Sequence, residues 1–177
     1  MSRIEFDRSA HLIRLKGADE SVLAGPFEAY NNTDSHSKGP WPDGSYAYLG
    51  YNSHAALSDP DSEYGADGIL IFDVPGRVGM GVHSGRRSIP DGLGRLGPAH
   101  CTLGCVRTTD EAMAAFIRLS GEDGIQSISI GIAFGLAAVL PKPALPAPRK
   151  AKRARKPPAA RARKRVSRRT NRGAPKK

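Results

Sequence analysis

Hydrophobic and polar residues alternate in short bursts along the first 130 positions of the chain. Ile4 and Phe6 alternate with Arg3, Glu5 and Asp7, and after a turn around residues 8–10 the stretch 11–15 repeats the pattern. Two such runs joined by a short turn predict an N-terminal hairpin. Residues 27–30 predict a third strand. Residues 31–44 are polar and rich in Gly and Pro, and read as a loop. Residues 45–51 place Tyr46, Tyr48 and Leu49 in a strand, and 53–66 form another polar loop. The segments 68–73 (GILIFD) and 77–83 (RVGMGVH) predict buried strands joined at Pro75 and Gly76. One helix is signalled. Thr108 with Glu111 three residues later is a capping-box pattern, Met113, Phe116 and Ile117 follow at helical spacing, and Gly121 offers a stop. Ile128, Ile130, Ile132 and Phe134 then alternate as a last strand. There is no internal repeat.

Composition supports a mainly β chain. Aromatics make up only 6% of the 177 residues, while 20 Gly and 14 Pro call for many turns, which excludes a long helical bundle. Charge divides the chain in two. Sixteen of the 27 Lys and Arg lie between Lys142 and Lys177 with no acidic residue, so residues 1–141 keep 11 cations against 17 acids, a net charge of −6. The expected organisation is a mildly acidic domain over 1–140, followed over 141–177 by a stiff Pro-rich spacer and a disordered Pro/Ala/Lys/Arg-rich basic tail. Such a tail attracts polyanions in a salt-dependent way without reading sequence. DNA, anionic wall polymers, anionic lipid and an acidic secretion partner all fit it, as does plain solvation.

Two cysteines, Cys101 and Cys105, exclude a disulfide framework. The longest apolar stretch, 128–140, is 13 residues broken by Ser and Gly, short of the roughly 20 that span a bilayer. The first residues lack the apolar core of a secretory signal, so the expectation is a protein cytoplasmic until exported by a route other than Sec.

The chemistry concentrates between Val82 and Asp110. A His ends a predicted strand, a Gly-rich loop follows, and Thr102-Leu103-Gly104-Cys105-Val106-Arg107 leads towards the capped helix. This pattern suits thiol acyl transfer. A Cys about three residues before a helix N-cap gains from the dipole, and Arg107 adds positive charge, so both favour a thiolate. Gly104 lets the backbone approach a substrate, and the N–H groups around Gly104 and Cys105 are candidate oxyanion donors. His83 is the candidate base.

His83-Ser84-Gly85 followed by Thr102-Leu103-Gly104-Cys105-Val106-Arg107 resembles the active-site signature of YkuD-type L,D-transpeptidases. Upstream, Gly39-Pro40-Trp41-Pro42-Asp43-Gly44-Ser45-Tyr46 is similar to the Gly-Pro segment that precedes a central strand in that family. The resemblance covers roughly residues 1–135. It implies a mainly β, sandwich-like fold with one short helix after the catalytic Cys. It also implies chemistry on peptidoglycan stem tetrapeptides. Cys105 would attack the carbonyl before the terminal D-Ala, release D-Ala, and pass the thioester to an amine or to water. His83 would be the base, oriented by a backbone carbonyl such as that of Ser84. Arg107 would hold a substrate carboxylate or order the loop. Ser84, Thr102, Gly104 and Arg107 are thus the candidate oxyanion and substrate-binding residues. Leu103 departs from the His common before Gly-Cys, and the 22-residue interval from His83 to Cys105 is long. Compact members without a Sec signal occur among type VI secretion effectors, an analogy that would bring an immunity protein or a secretion-apparatus partner.

Other readings stand beside this one. Cys101 reads as a structural thiol, although a bond to Cys105 would block the nucleophile and act as a redox switch. His83, His100, Cys101 and Cys105 fit no usual zinc spacing, so neither a metal nor a cofactor is expected. His11, His36 and His54 read as surface residues, and Tyr46, Tyr48 and Tyr51 as sheet residues. A second class of function is a nucleic-acid-binding protein that works through its tail, with a silent domain. A third is a papain-like wall peptidase, but there the Cys precedes the His.

Overall fold

The structure, a computed structural model, describes residues 1–53 and 58–134, with side chains of 120–123 excepted. The expected spacer and basic tail over 141–177, and His54, lie outside the described residues. The first two strands, β1 (Ser2–Asp7) and β2 (Leu12–Lys16), form the expected hairpin, with Ile4 opposite Leu15 and Phe6 opposite Ile13. Strand β3 (Val22–Tyr30) runs antiparallel to β2. Next come β4 (Gly44–Asn52), β5 (Ile69–Phe72) and β6 (Gly81–His83), with β5 antiparallel to β4 and β6 antiparallel to β5. Strand β7 (Val106–Thr108) lies parallel to β6 and antiparallel to β3. Helix α1 (Asp110–Asp123) then crosses to β8 (Ile125–Ile130), which is parallel to β1 and antiparallel to β4. The strand order β1-β2-β3-β7-β6-β5-β4-β8 closes on itself, so the fold is mainly β, a closed barrel with one helix. Two sheets share β3 and β4 as their common borders, which gives the barrel its sandwich character.

Burial explains the closure. Ile4, Phe6, Ile13, Leu15, Ile128 and Ile130 fill the barrel from one sheet, and Leu70, Phe72, Val82 and Val106 from the other. Trp41 plugs the centre, fully buried, with its ring edge-on to Tyr46 and Phe72. The Gly-Pro segment therefore works as a core plug leading into β4. At about 25 cal/mol per Å², a buried Trp is one of the largest single apolar contributions to such a core. Met113 and Phe116 fix the helix, with Phe116 meeting Phe27 edge-on.

Four local expectations are corrected. The run 77–83 is a strand only over Gly81–His83, because Arg77 N–H closes a turn on Val74 O and Gly79 holds φ 71°. The helix cap is Thr109, whose Oγ1 accepts from Ala112 N–H at 3.2 Å, whereas Thr108 ends β7 and donates its hydroxyl to Glu28 O at 2.8 Å. The last strand stops at Ile130, since the Gly131 N–H turns back to Phe6 O and Phe134 N–H to the Asp7 carboxylate. The helix also runs past Gly121 to Asp123, and Gly124, at φ 67°, makes the left-handed exit that favours glycine.

Candidate active site

Strands β6 and β7 are the shortest of the barrel, and they carry the chemistry. Their parallel register sets His83 beside Arg107, and Cys105 stands two positions before Arg107. Side chains two apart on extended backbone share a face. Cys105, Arg107 and His83 therefore project to one side. There they line a cleft of about 380 Å³ together with Tyr64, Met80, Arg86, His100, Cys101 and Thr102.

Cys105 is buried, and both cysteines are free thiols. Its thiol lies 3.7 Å from Gly79 O and faces the Gly81 N–H. The sequence placed this thiol about three residues before a helix N-cap and expected the dipole to reach it. The intervening residues are the extended strand β7, about 10 Å of chain, beyond the single turn over which a helix dipole acts. Burial accordingly dominates and pushes the thiol above its ordinary value, while the Gly81 N–H and the Arg107 charge pull it down. The sulfur keeps its proton at neutral pH.

His83 is buried, and its Nδ1 is 2.8 Å from Ser84 O. A carbonyl only accepts, so Nδ1 carries the hydrogen and Nε2 keeps its lone pair. The edge of the Tyr64 ring packs against the imidazole at 5.1 Å. Burial first, and the Arg107 charge second, depress the His83 pKa to about 3. The ring is thus a neutral base held in one tautomer, facing the same cleft as a protonated thiol. That pairing suits proton transfer at the moment of attack rather than a standing thiolate–imidazolium pair.

Arg107 is buried and donates from Nη1 to Ser84 O at 3.0 Å and Glu63 O at 3.1 Å. Among the described residues it forms no ion pair, and its Nε has no acceptor. Burial first, then the neighbouring Arg86 charge, lower its pKa to about 10. It remains a cation at neutral pH. Ser84 contributes its carbonyl to both His83 and Arg107, while its buried hydroxyl lies beside Gly65 and lines a separate cavity of about 160 Å³.

The turn before the thiol is held from within and from outside. Thr102 Oγ1 accepts from Gly104 N–H at 3.1 Å and donates to Cys105 O at 2.8 Å. The Gly104 N–H expected as an oxyanion donor is therefore engaged in the turn. Gly104 itself has φ 139°, where a Cβ would also press on the Met80 sulfur at 3.0 Å. Asn31 was missed by sequence reasoning, which left residues 31–44 as an undifferentiated polar loop. Its Nδ2 donates to Gly104 O at 2.7 Å and Cys105 O at 2.9 Å, and its Oδ1 accepts from Trp41 N–H at 2.6 Å. One amide thus ties the nucleophile turn to the Trp41 plug. The only available signal was its place, a polar residue directly after an apolar strand.

Asp91, His100 and Cys101 bring an oxygen, a nitrogen and a sulfur within 4.8 Å of one another beside the cleft. The Asp91 carboxylate accepts from Leu93 N–H, Arg95 N–H, Arg95 Nε and Cys101 N–H, which commits its oxygens to the loop and to a cation. This donor set does not suit a metal ion.

No family model matches the chain, and no curated protein sequence matches it. Among solved structures the fold is similar to Mycobacterium tuberculosis L,D-transpeptidase 1, at 15% identity and a TM-score of 0.44, over 73% of this chain and 60% of that one. It is also similar to an L,D-transpeptidase from Mycobacterium smegmatis, at 21% identity and a TM-score of 0.46, over 73% and 58% of the two chains. A third neighbour, an L,D-transpeptidase from Xylanimonas cellulosilytica, stands at 19% identity and a TM-score of 0.43, over 73% and 59%. The chain spans about three-fifths of the length of these neighbours.

Proposed function

We propose that the domain is a cysteine acyltransferase of the L,D-transpeptidase type acting on peptidoglycan stem tetrapeptides. The observation that carries this reading is the pairing of a buried Cys105 thiol with a neutral His83 fixed by Ser84 O in one cleft. In the reaction, His83 Nε2 takes the thiol proton as sulfur attacks the carbonyl carbon before the terminal D-Ala. Backbone N–H groups near Cys105 meet the oxyanion that forms. The C–N bond then breaks, the imidazolium returns its proton to the leaving amine, and D-Ala departs. An amine or water attacks the thioester, loses its proton to His83, and regenerates the thiol. Arg107 holds the Ser84 carbonyl in place throughout, and its charge limits the basicity of the imidazole. No metal or cofactor enters these steps.

The test is direct. Purified protein incubated with tetrapeptide muropeptides should release D-Ala and yield exchanged, cross-linked or hydrolysed products by mass spectrometry. Intact tetrapeptide after long incubation overturns the reading.

The basic segment Lys142–Lys177 supports a second module, with the boundary near residue 141. Sixteen cations without an acid suit a salt-dependent polyanion partner. The same segment is what a nucleic-acid-binding protein with a silent domain would use. Delivery as an exported effector would add an immunity protein or secretion-apparatus partner, with action in the periplasm or wall. Removing residues 142–177 should leave activity on soluble tetrapeptides within a few fold and abolish salt-sensitive DNA binding. An inactive or unfolded 1–141 fragment would show that the segment belongs to the catalytic unit.

A further inference from the structure

Arg86 occupies a strained position that the reaction above does not use. It has φ 55°, a left-handed conformation uncommon for a residue with a side chain. Contacts on both sides hold it there. Its N–H donates to Ser62 O at 3.2 Å, and its carbonyl accepts from Gly97 N–H at 2.8 Å. The preceding Gly85, at φ 102°, lies so close to the 62–65 loop that a Cβ there would come within 2.4 Å of Ser62 O. Two loops thus clamp the turn after β6 and return the chain over the cleft.

The clamped side chain lines the cleft with Cys105 and Arg107, and its charge reaches Arg107 strongly enough to help lower that residue's pKa. Two guanidinium groups therefore share one cleft. Arg107 spends Nη1 inward on two carbonyls, whereas Arg86 is part-exposed and has no side-chain hydrogen bond or ion pair among the described residues. Asp61 is near enough for the Arg86 charge to help lower its pKa, but its carboxylate accepts from Ser88 N–H and Oγ and forms no ion pair with Arg86. Glu63 and Asp34 line the cleft without pairing to it. A strained backbone that positions an unpaired guanidinium beside a nucleophile is a site for an anion.

We propose that Arg86 receives the α-carboxylate of the terminal D-residue of the donor stem peptide, so that the cleft selects chains ending in a free carboxylate. This rests on Cys105 as the nucleophile. The leaving residue's carboxylate lies one residue beyond the carbonyl that sulfur attacks, about one Cα–Cα step of 3.8 Å along the peptide. A guanidinium that lines the same cleft as the sulfur is placed among the groups such a carboxylate would meet, and its fork matches a carboxylate in two-point contact.

Isothermal titration of the Cys105→Ala protein tests it, with a stem tetrapeptide ending in D-alanine and the same peptide ending in D-alaninamide. A charge-assisted contact predicts that the amide binds about tenfold or more weakly. That preference should vanish with Arg86→Gln and with Arg86→Asn, the latter tolerant of the left-handed region, and should survive in part with Arg86→Lys. Equal affinity for acid and amide overturns the proposal, as does no binding of either peptide. A preference that persists without Arg86 overturns it too. The acid–amide comparison itself leaves residue 86 untouched, so it decides even if a variant fails to fold. D-Ala release by the unsubstituted protein reports separately on the reaction. Binding that depends on Arg86 without D-Ala release would sink the reaction and keep the subsite.

Discussion

The β1–β2 hairpin and the β6–β7 cleft both bury charge, but they treat it in opposite ways. On the hairpin, Glu5 is buried yet accepts from Arg3 and Arg14, with Lys16 at 3.9 Å. Asp7 takes hydrogen bonds from Ser9, Ala10 and Phe134. Arg14 stacks 3.9 Å over the Phe134 ring. In the cleft, His83 is buried without a carboxylate, Arg107 is buried without an ion pair, whereas Arg8 in the hairpin turn pairs with Asp43, and Arg86 holds a left-handed backbone with no side-chain hydrogen bond or ion pair among the described residues. Complete pairing stabilises a fold, because each buried charge needs a partner. Incomplete pairing costs stability and leaves groups free to meet a ligand. The first region is architecture, and the second is poised for chemistry.

Substitutions can break this contrast. His83→Ala should lower kcat/KM for D-Ala release about 10²–10⁴-fold, the range for a positioned base, with little loss of fold. A loss under tenfold would remove His83 from the proton path. Asn31→Ala should destabilise by about 2–4 kcal/mol, since it strips hydrogen bonds from Gly104 O, Cys105 O and Trp41 N–H at once. Urea melts measure that loss, and kcat should fall with it because the nucleophile turn loosens. Glu5→Gln should cost about 1–3 kcal/mol by leaving Arg14 under-compensated, yet leave kcat/KM per folded molecule unchanged. A fall in its turnover would show that the two regions are coupled.

Acid sensitivity sharpens the contrast further. His83 has a folded pKa near 3, below the value of about 6.5 it regains on unfolding. Between these values the unfolded chain binds the extra proton, so stability falls as pH drops from about 6.5 towards 3. Asp7 acts in a lower window. Burial raises its pKa, but hydrogen bonds from Ser9, Phe134 and Ala10 outweigh this and hold it below 3.8, so its contribution disappears only as pH falls below that value. His83→Gln should therefore flatten the stability profile between pH 6.5 and 4 and leave the steeper fall below it. An unchanged slope in that window would mean that the imidazole is not held neutral.

Much of this was legible in the sequence. Strict alternation in β1 and β2 gave the hairpin, and the pattern Met113, Phe116, Ile117 gave the helix. The likeness of His83 and Thr102-Leu103-Gly104-Cys105-Val106-Arg107 to a family signature pointed to this segment, and the parallel β6–β7 register brings His83, Thr102, Cys105 and Arg107 to one cleft that Ser84 and Gly104 do not line. Other features were not legible. Alternation sends Glu5 and Asp7 to solvent, yet both are buried under Arg3, Arg14 and the 131–134 turn, a result of barrel closure. Thr108 and Thr109 are equivalent cap candidates until the β7 register commits Thr108 to Glu28 O. Asn31 and Arg86 act through contacts 73 residues and 24 residues away in the chain, with Gly104 and Ser62, which no local pattern encodes.

The central claim is that Cys105 forms the acyl bond with its proton taken by a neutral His83. The most direct measurement is intact-protein mass spectrometry on tetrapeptide-treated protein, quenched in acid at early times, for the unsubstituted chain, Cys105→Ala and Cys101→Ala. The account predicts a mass increase equal to the tetrapeptide less one molecule of D-Ala for the unsubstituted protein and Cys101→Ala, and none for Cys105→Ala. Equal labelling of Cys105→Ala, or loss of the adduct from Cys101→Ala alone, would contradict it.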